Sequence, residues 1–313
     1  MTTSFEQKKI AVVLPCYNEG NAIADVVASF KRALPSAKIY VFDNNSTDNT
    51  AVEAQNAGAQ VITERQQGKG NVVRRIFAEV DADCYIMADG DGTYEAAAAP
   101  QLAKALFDQK LDMVVGCRKS VEGEMTYRAG HAFGNKLLTG IAQTVFGRGF
   151  TDMLTGYRAF SRRFAKSFPI LSSGFEIETE ITIHCLSLNL PASEIQTKYY
   201  ERAEGTESKL NTYRDGWRIL MTILRLFRDA KPLIFFSLTA LILAILSIGL
   251  AVPLISEFLN TGLVTRLPTA VLCTGLMLSA LMSITCGIIL DSIARQRLEN
   301  KKIAYLQHSQ GEF

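Results

Sequence analysis

The sequence predicts an α/β protein: a mostly parallel sheet covered on both sides by helices, then an amphipathic helix, then a hairpin of two membrane-spanning helices. Three observations carry this. Through the first 120 residues, short strands that are apolar on both faces alternate with helical patterns, as in a parallel sheet held between helix layers. Polar residues gather where those strands end. Toward the C-terminus, Lys231 and Glu257 bracket 25 uncharged residues, and Arg266 and Asp291 bracket 24 more. About 20 apolar residues suffice to cross the hydrocarbon of a bilayer.

The elements follow in order. Ile10 to Leu14 is a continuous apolar strand, ended by Pro15. Ile39 to Phe42 is a second, stopping at Asp43, and Val61-Ile62 marks a short third. Cys84 to Met87 and Met113 to Val115 complete the first five, and Ile195 to Tyr200 reads as a sixth. Helical periods fill residues 21–33, 48–57, 69–80 and 95–108, with a further helix expected over 127–146. Glu176, Glu178 and Glu180 precede an apolar run to Leu190, where acids complement a helix N-terminus. Asp152 to Arg158 has no apolar period and reads equally as a site loop or a connector. From 213 to 229 the period is helical. Arg214, Arg218, Arg225 and Asp229 mark one narrow face, as in a helix lying at a membrane interface. The expected organisation is a cytosolic domain over 1–210, a juxtamembrane helix over 211–231, a hairpin over 232–290 (spans 232–256 and 267–290), and a tail over 291–313.

Charge and composition narrow the function. The chain has 313 residues and a formal net charge of +2, which argues against nucleic acid as a partner. Met1 to Lys9 holds no apolar signal core. Arg214, Arg218, Arg225, Arg228 and Lys231 precede the first span, and Arg295, Arg297, Lys301 and Lys302 follow the second. The positive-inside rule therefore places both termini and the sheet domain in the cytoplasm, and the link between spans outside. The six cysteines show no CxxC spacing and suit a reducing compartment as apolar fillers. In the second span Gly275, Ser279, Ser283 and Gly287 recur every four positions, a spacing that suits close packing within the hairpin or between copies of the chain, so a homo-oligomer is an open expectation.

Ligands in open α/β sheets bind at the carboxyl ends of the strands. Here those ends carry Asn18 and Glu19, Asp43 and Asn44, Asp89 and Asp91, and Arg118. Asp89-Gly90-Asp91 is the most telling: on extended chain, residues two apart share a face, so both carboxylates can meet one hard cation. Alone, the motif is also what a solvated acidic turn would look like. No G-x-G-x-x-G follows the first strand, which disfavours a dinucleotide fold. Gly68-Lys69-Gly70 is not a Walker loop, yet its lysine could meet a phosphate. A cation-binding look beside a basic membrane surface suggests a soluble phosphorylated donor and a lipid acceptor. Arg202, Lys209 and Arg128 are the basic residues available to such an acceptor's phosphate.

The motifs Val13-Leu14-Pro15-Cys16-Tyr17-Asn18-Glu19, Asp43-Asn44-Asn45-Ser46-Thr47-Asp48, Gly68-Lys69-Gly70 and Ala88-Asp89-Gly90-Asp91 resemble, in order, those of family two glycosyltransferases. Asp152 to Arg158, Gly174 to Glu180, and Arg202 with Ser208-Lys209-Leu210 resemble the polyprenyl-phosphate sugar synthases of that family, the dolichyl-phosphate mannose synthase-like enzymes with a two-helix membrane tail. The resemblance implies a GT-A (Rossmann-like) fold and inverting transfer of a hexosyl or N-acetylhexosaminyl group. The donor would be a UDP- or GDP-linked sugar, the acceptor a polyprenyl phosphate of the undecaprenyl or dolichyl type, and the cofactor Mg2+ or Mn2+. It places Pro15, Glu19 and Asp43 around the donor's base and ribose, with Tyr17, Asn18, Lys69 and Arg118 also binding the donor. It makes Asp91 the principal metal ligand, with Asp89 beside it facing the ribose or diphosphate, puts Asp152 near the sugar and the acceptor, and counts all three as catalytic residues. Arg128, Arg202, Ser208 and Lys209 become candidates for the acceptor phosphate. A different lipid or polysaccharide acceptor is the nearest alternative, and a membrane-anchored nucleotidyltransferase is the alternative of another class.

Overall fold

The structure is a computed structural model that describes residues 8–120, 150–200 and 212–308. Two compact units emerge, one of residues 1–223 with 301–313 and one of residues 224–300.

In the first unit seven strands form one sheet: β1 (Ile10–Cys16), β2 (Lys38–Asp43), β3 (Gln60–Thr63), β4 (Cys84–Met87), β5 (Met113–Ser120), β6 (Arg158–Ser161) and β7 (Ala192–Tyr199). Their order is β3-β2-β1-β4-β6-β5-β7. All are parallel except β6, which runs antiparallel to both β4 and β5. The expected α/β class and mostly parallel sheet are therefore present.

Two expectations need correction. β1 does not end at Pro15 but pairs on through Cys16. Val13 O accepts from Ala88 N on the β4 side, and Pro15, two residues on, faces the same side beyond the end of β4. No ladder bond is asked of its missing N–H there. The strand expected over Ile195 to Tyr200 is the seventh and ends at Tyr199, because Arg158–Ser161 forms a strand with no apolar run to announce it.

Helices α1 (Ile23–Ala33), α2 (Thr50–Asn56), α3 (Lys69–Glu79), α4 (Ala99–Asp108), α5 (Arg162–Ser167) and α6 (Ile177–Leu188) cover the sheet. α1 buries Ile23, Val26, Val27 and Phe30, the i, i+3, i+4, i+7 stripe of a helix with one apolar face. With Leu102, Ala103 and Leu106 of α4 it packs on Ile10, Val12, Leu14 and Ile86. An aromatic chain runs elsewhere in the core: Tyr85 and Phe160 each meet Phe77 of α3 edge-on, and Phe160 stacks on Phe164 of α5. His184 of α6 closes it against Phe164 and Phe168. Ser161 caps α5, its Oγ accepting from Phe164 N at 3.0 Å. α6 stops at Asn189, whose left-handed backbone suits a helix C-terminus. Asp112, just before β5, accepts from Ser161 Oγ, the Arg163 guanidinium and Tyr305 OH. The helix expected over 127–146 lies outside the described residues.

A helix α7 (Thr212–Ala230) precedes two longer ones, α8 (Pro232–Thr261) and α9 (Leu267–Gln307). The last two are long and apolar enough to cross a membrane. Within the second unit they pack against each other: Ser247 Oγ donates to Cys273 O at 2.8 Å and Ser283 Oγ to Phe236 O at 3.0 Å. A Cβ on Gly287 would stand 3.0 Å from that of Phe236. The four-residue stripe is only half used in this packing. Ser283 and Gly287 meet α8, whereas a Cβ on Gly275 would meet nothing and Ser279 bonds back to Gly275 O. The buried face of α9 instead repeats every seven residues, Cys273, Ala280 and Gly287.

Candidate active site

The parallel strands end at one edge, and the loops that follow them are tied to each other. After β1 the chain turns through Asn18, held at φ 51°, a region asparagine tolerates better than most residues. Asn18 N donates to Ser46 Oγ, and Thr47 N donates back to Asn18 Oδ1. Glu19 N donates to Thr50 Oγ1 and Gly20 N to Asp48 Oδ2. Burial works against the Asp48 carboxylate, but the hydrogen bonds from Thr50 and Gly20 outweigh it and lower its pKa. Asp43, at the end of β2, is buried. Its Oδ2 accepts from Ser46 N at 3.3 Å, and its Oδ1 has no hydrogen-bond partner among the described residues. Asn44 braces the next loop, donating to Glu64 O and Gln66 O and accepting from Gly68 N at 2.7 Å.

These loops enclose a cleft of about 280 Å³ lined by Pro15, Tyr17, Glu19, Lys69, Asp89 and Asp91, together with Asn44 and Phe175. Six residues expected at the donor site thus share one cavity. A larger groove, about 690 Å³, runs from Asp91 and Tyr94 along α1 to Tyr200, and Asp91 borders both. The smaller cleft holds the convergent charges.

Asp89 and Asp91 have different surroundings. Asp91 is buried, its Oδ1 accepting from Thr93 N at 3.1 Å and Thr93 Oγ1 at 2.7 Å. Asp89 is gripped by Lys69 Nζ at 2.5 Å. Lys69 in turn meets Glu178 at 2.6 Å. Burial alone would depress the lysine pKa; the attraction of Asp89 and Glu178 overrides it and holds Lys69 protonated. No cluster of three or more His, Cys, Asp or Glu is found among the described residues. Two carboxylates on one cleft nevertheless fit Mg2+ or Mn2+, which take one or two protein carboxylates and leave the other positions to substrate phosphates. Both border the cleft already engaged, Asp91 by Thr93 and Asp89 by Lys69.

Arg118 and Asp152 find each other. Nε and Nη2 of Arg118 donate to the two carboxylate oxygens, both at 2.7 Å, in a bidentate pair. The guanidinium also lies 5.5 Å from the centre of the Tyr199 ring. The segment after Asp152 passes beside the cleft: a Cβ on Gly156 would stand 2.8 Å from Asp89 Oδ2 and 3.0 Å from Lys69 Nζ. Arg158, fully buried, holds this segment from inside. It donates to Met153 O at 2.6 Å, Thr155 O at 3.0 Å and Thr182 Oγ1 at 2.9 Å. Burial lowers its pKa, and the attraction of Glu178 and Asp152 offsets only part of that. Arg128, Arg202, Ser208 and Lys209 lie outside the described residues.

In the sequence Glu178 stands only within the Gly174–Glu180 motif and as one of three glutamates that suit a helix N-terminus, with no site role of its own. They do occupy the N-terminal end of α6, but each also has its own task. Glu176 accepts from Gly174 N, Glu180 from Leu171 N and Ser172 N, and Glu178 meets Lys69. Acids crowding the start of an otherwise apolar helix were the available signal. Tyr94 was also missed; its hydroxyl accepts from Gly156 N at 2.9 Å.

Comparison with known proteins agrees with this architecture. The model for glycosyl transferase family 2 matches residues 11–168. Glycosyltransferase AglJ of Haloferax volcanii is 30% identical over 296 residues, covering 94% of this chain and 96% of that protein. A dolichyl-phosphate hexose transferase of the same organism is 28% identical over 229 residues, 73% of this chain and 98% of its own. Among solved structures, glucosyl-3-phosphoglycerate synthase from Mycobacterium tuberculosis in complex with Mn2+, UDP-glucose and phosphoglyceric acid superposes with a TM-score of 0.59 at 21% identity, over 71% of this chain and 81% of that one. At that identity the likeness concerns the GT-A type of fold. The order of strand-end motifs, the fold and the family match lead to one conclusion: this chain belongs to glycosyl transferase family 2 and is a glycosyltransferase.

Proposed function

We propose that the protein transfers a sugar, with inversion, from a UDP- or GDP-linked donor to a polyprenyl phosphate at the cytoplasmic face of a membrane, using Mg2+ or Mn2+. The observation that carries this reading is the combination, in one chain, of a charged cleft at the sheet's carboxyl edge and two helices of membrane-spanning length. The similarity to a dolichyl-phosphate hexose transferase supports a lipid phosphate acceptor, and the Mn2+ and UDP-glucose of the structural neighbour support the donor and the metal. The basic residues flanking both long helices support a cytoplasmic catalytic unit with both ends of the chain on that side.

In this reading Pro15, Tyr17, Asn18, Glu19 and Asp43 hold the nucleoside, Asp89 faces the ribose or diphosphate, and Asp91 holds the cation. When bound, the cation supplies charge screening for the leaving diphosphate. Lys69 adds a fixed positive charge to the same cleft. An acceptor phosphate oxygen attacks the anomeric carbon as the bond to the donor's diphosphate breaks on the opposite face, releasing the nucleoside diphosphate. The attacking group needs no strong base, because the second pKa of a phosphate monoester is about 6. Asp152 suits an orienting role better than that of a base, since both its oxygens are engaged by Arg118. Arg128, Arg202, Ser208 and Lys209 are proposed for the acceptor phosphate.

The test is a screen of nucleotide sugars against a short-chain polyprenyl phosphate, scoring nucleoside diphosphate release with and without Mn2+. Metal-dependent release and a sugar-linked lipid product are expected, both lost in Asp91→Ala. Release of pyrophosphate instead would indicate nucleotidyl transfer, and full activity of Asp91→Ala would sink the metal assignment.

A further inference from the structure

Lys69 is badly placed for a cation by every local measure. It is the first residue of α3, where the positive end of the helix dipole repels it, and no acidic residue occupies that turn. It is almost fully buried. Gly68 and Gly70 on either side are pressed against the chain at 172–173: Gly70 N donates to Ser173 O at 3.0 Å, and a Cβ on either glycine would lie 2.1 Å from a serine carbonyl oxygen. The backbone of Lys69 is thus fixed, and only its side chain has latitude.

Two carboxylates take up that latitude, and they differ. Asp89 is partly exposed and borders the cleft, so it is available to a ligand. Glu178 is buried and does not line the cleft. Its helix is anchored elsewhere: Thr182 Oγ1 donates to Glu178 O and accepts from the buried Arg158, while Glu180 holds the backbone of Leu171 and Ser172. That same 171–174 segment abuts Gly68 and Gly70. Glu178 and the backbone of Lys69 therefore rest on a common support.

We propose that Glu178 is a positioning residue for the donor site, the fixed partner that keeps the Lys69 ammonium aimed into the cleft while Asp89 is engaged by the nucleotide sugar. The proposal rests on the glycosyltransferase reading of the cleft and adds to it a residue that acts only through Lys69. Glu178 touches no substrate. Its charge offsets the burial and dipole costs of the lysine, so that Asp89 need not serve that purpose alone.

The test uses the full chain in detergent with two variants. Glu178→Gln keeps the shape and removes the charge; Glu178→Asp keeps the charge and shortens the reach. Binding of UDP or GDP with Mn2+ is measured by titration, and steady-state kinetics with the nucleotide sugar and a polyprenyl phosphate. For Glu178→Gln the expectation is nucleotide affinity about tenfold weaker and a donor KM raised to match, with a smaller change in kcat and an unaltered acceptor KM. Glu178→Asp should recover much of the affinity although it fits the site less well and melts lower than Glu178→Gln. Unchanged nucleotide binding in Glu178→Gln overturns the proposal. So does a loss of affinity that merely follows the melting temperatures, the mark of a structural role. The binding arm needs no acceptor, so a wrong acceptor assignment shows as absent transfer by the wild type with the binding result intact. A wild type that binds neither nucleotide defeats the donor reading and this inference together.

Discussion

His184 gives a prediction whose size follows from its surroundings. The ring lies buried against Phe164 and Phe168, and neither ring nitrogen has a hydrogen-bond partner among the described residues. Burial, helped by the nearby Lys301, lowers its pKa from 6.5 to about 3. In the unfolded chain the imidazole regains an ordinary value. Between those two pKa values the unfolded state therefore binds more protons than the folded one, and stability rises with pH. The contribution is whole above the unfolded pKa and fades as pH falls through the window. From about pH 8 to about pH 5.5 the cost is about 1.4 kcal/mol, one decade below the unfolded pKa. That corresponds to a melting temperature lower by about 4 °C for a domain of this size. The variant His184→Leu should lose this part of the pH dependence, and the difference between its slope and that of the wild type isolates the histidine from the carboxylates. Imidazole proton resonances give a direct check, since the chain has only three histidines. One of the three should stay neutral down to about pH 4. Three histidines titrating near 6.5, or a pH slope in His184→Leu no smaller than that of the wild type, would refute the reasoning.

The remaining predictions address the site and its supports. Gly70→Ala would drive a methyl group into Ser172 O, and the 172–173 segment cannot retreat cheaply; a loss of about 2 kcal/mol in stability and weakened nucleotide binding should appear together in melting and titration experiments. Arg158→Met leaves Met153 O, Thr155 O and Thr182 Oγ1 without their donor, and relief of the buried charge offsets only part of that. The expected cost is about 3 kcal/mol, with turnover falling because the Asp152 segment loses its internal anchor; an unchanged melting temperature would contradict it. Tyr305→Phe removes one donor from Asp112 but keeps the ring 4.1 Å from the Arg163 guanidinium, so it should cost about 1 kcal/mol, read as a lower melting temperature. Chelation with EDTA should stop nucleoside diphosphate release and added Mn2+ should restore it, whereas release that persists in EDTA would remove the metal from the mechanism.

Much of the fold was legible because burial leaves a periodic record. Strands β1, β2, β4 and the start of β5 are buried on both faces, so each is written as an unbroken apolar run. Asp89 and Asp91 stood out because charges directly after such a run need a reason. The two uncharged stretches were legible for a similar reason, since a helix long and apolar enough to cross a membrane shows as an unbroken run without charge. Strand β6 left no such record. It has four residues and begins with Arg158, a charge whose burial is tolerated only because Met153, Thr155 and Thr182 supply acceptors.

By itself the sequence determined the strands and helices of the first 120 residues, the edge at which polar residues collect, and the two long apolar helices, because each depends on local period and local hydrophobicity. The tertiary structure alone decided which charges meet. Antiparallel β6, set between β4 and β5, carries the segment after Asp152 past Asp89, and the start of α6 delivers Glu178 to Lys69. Arg118 likewise finds Asp152 across 34 residues of chain. An ion pair is set by distance in space, and when its partners belong to different elements neither residue's neighbours in the chain record the other.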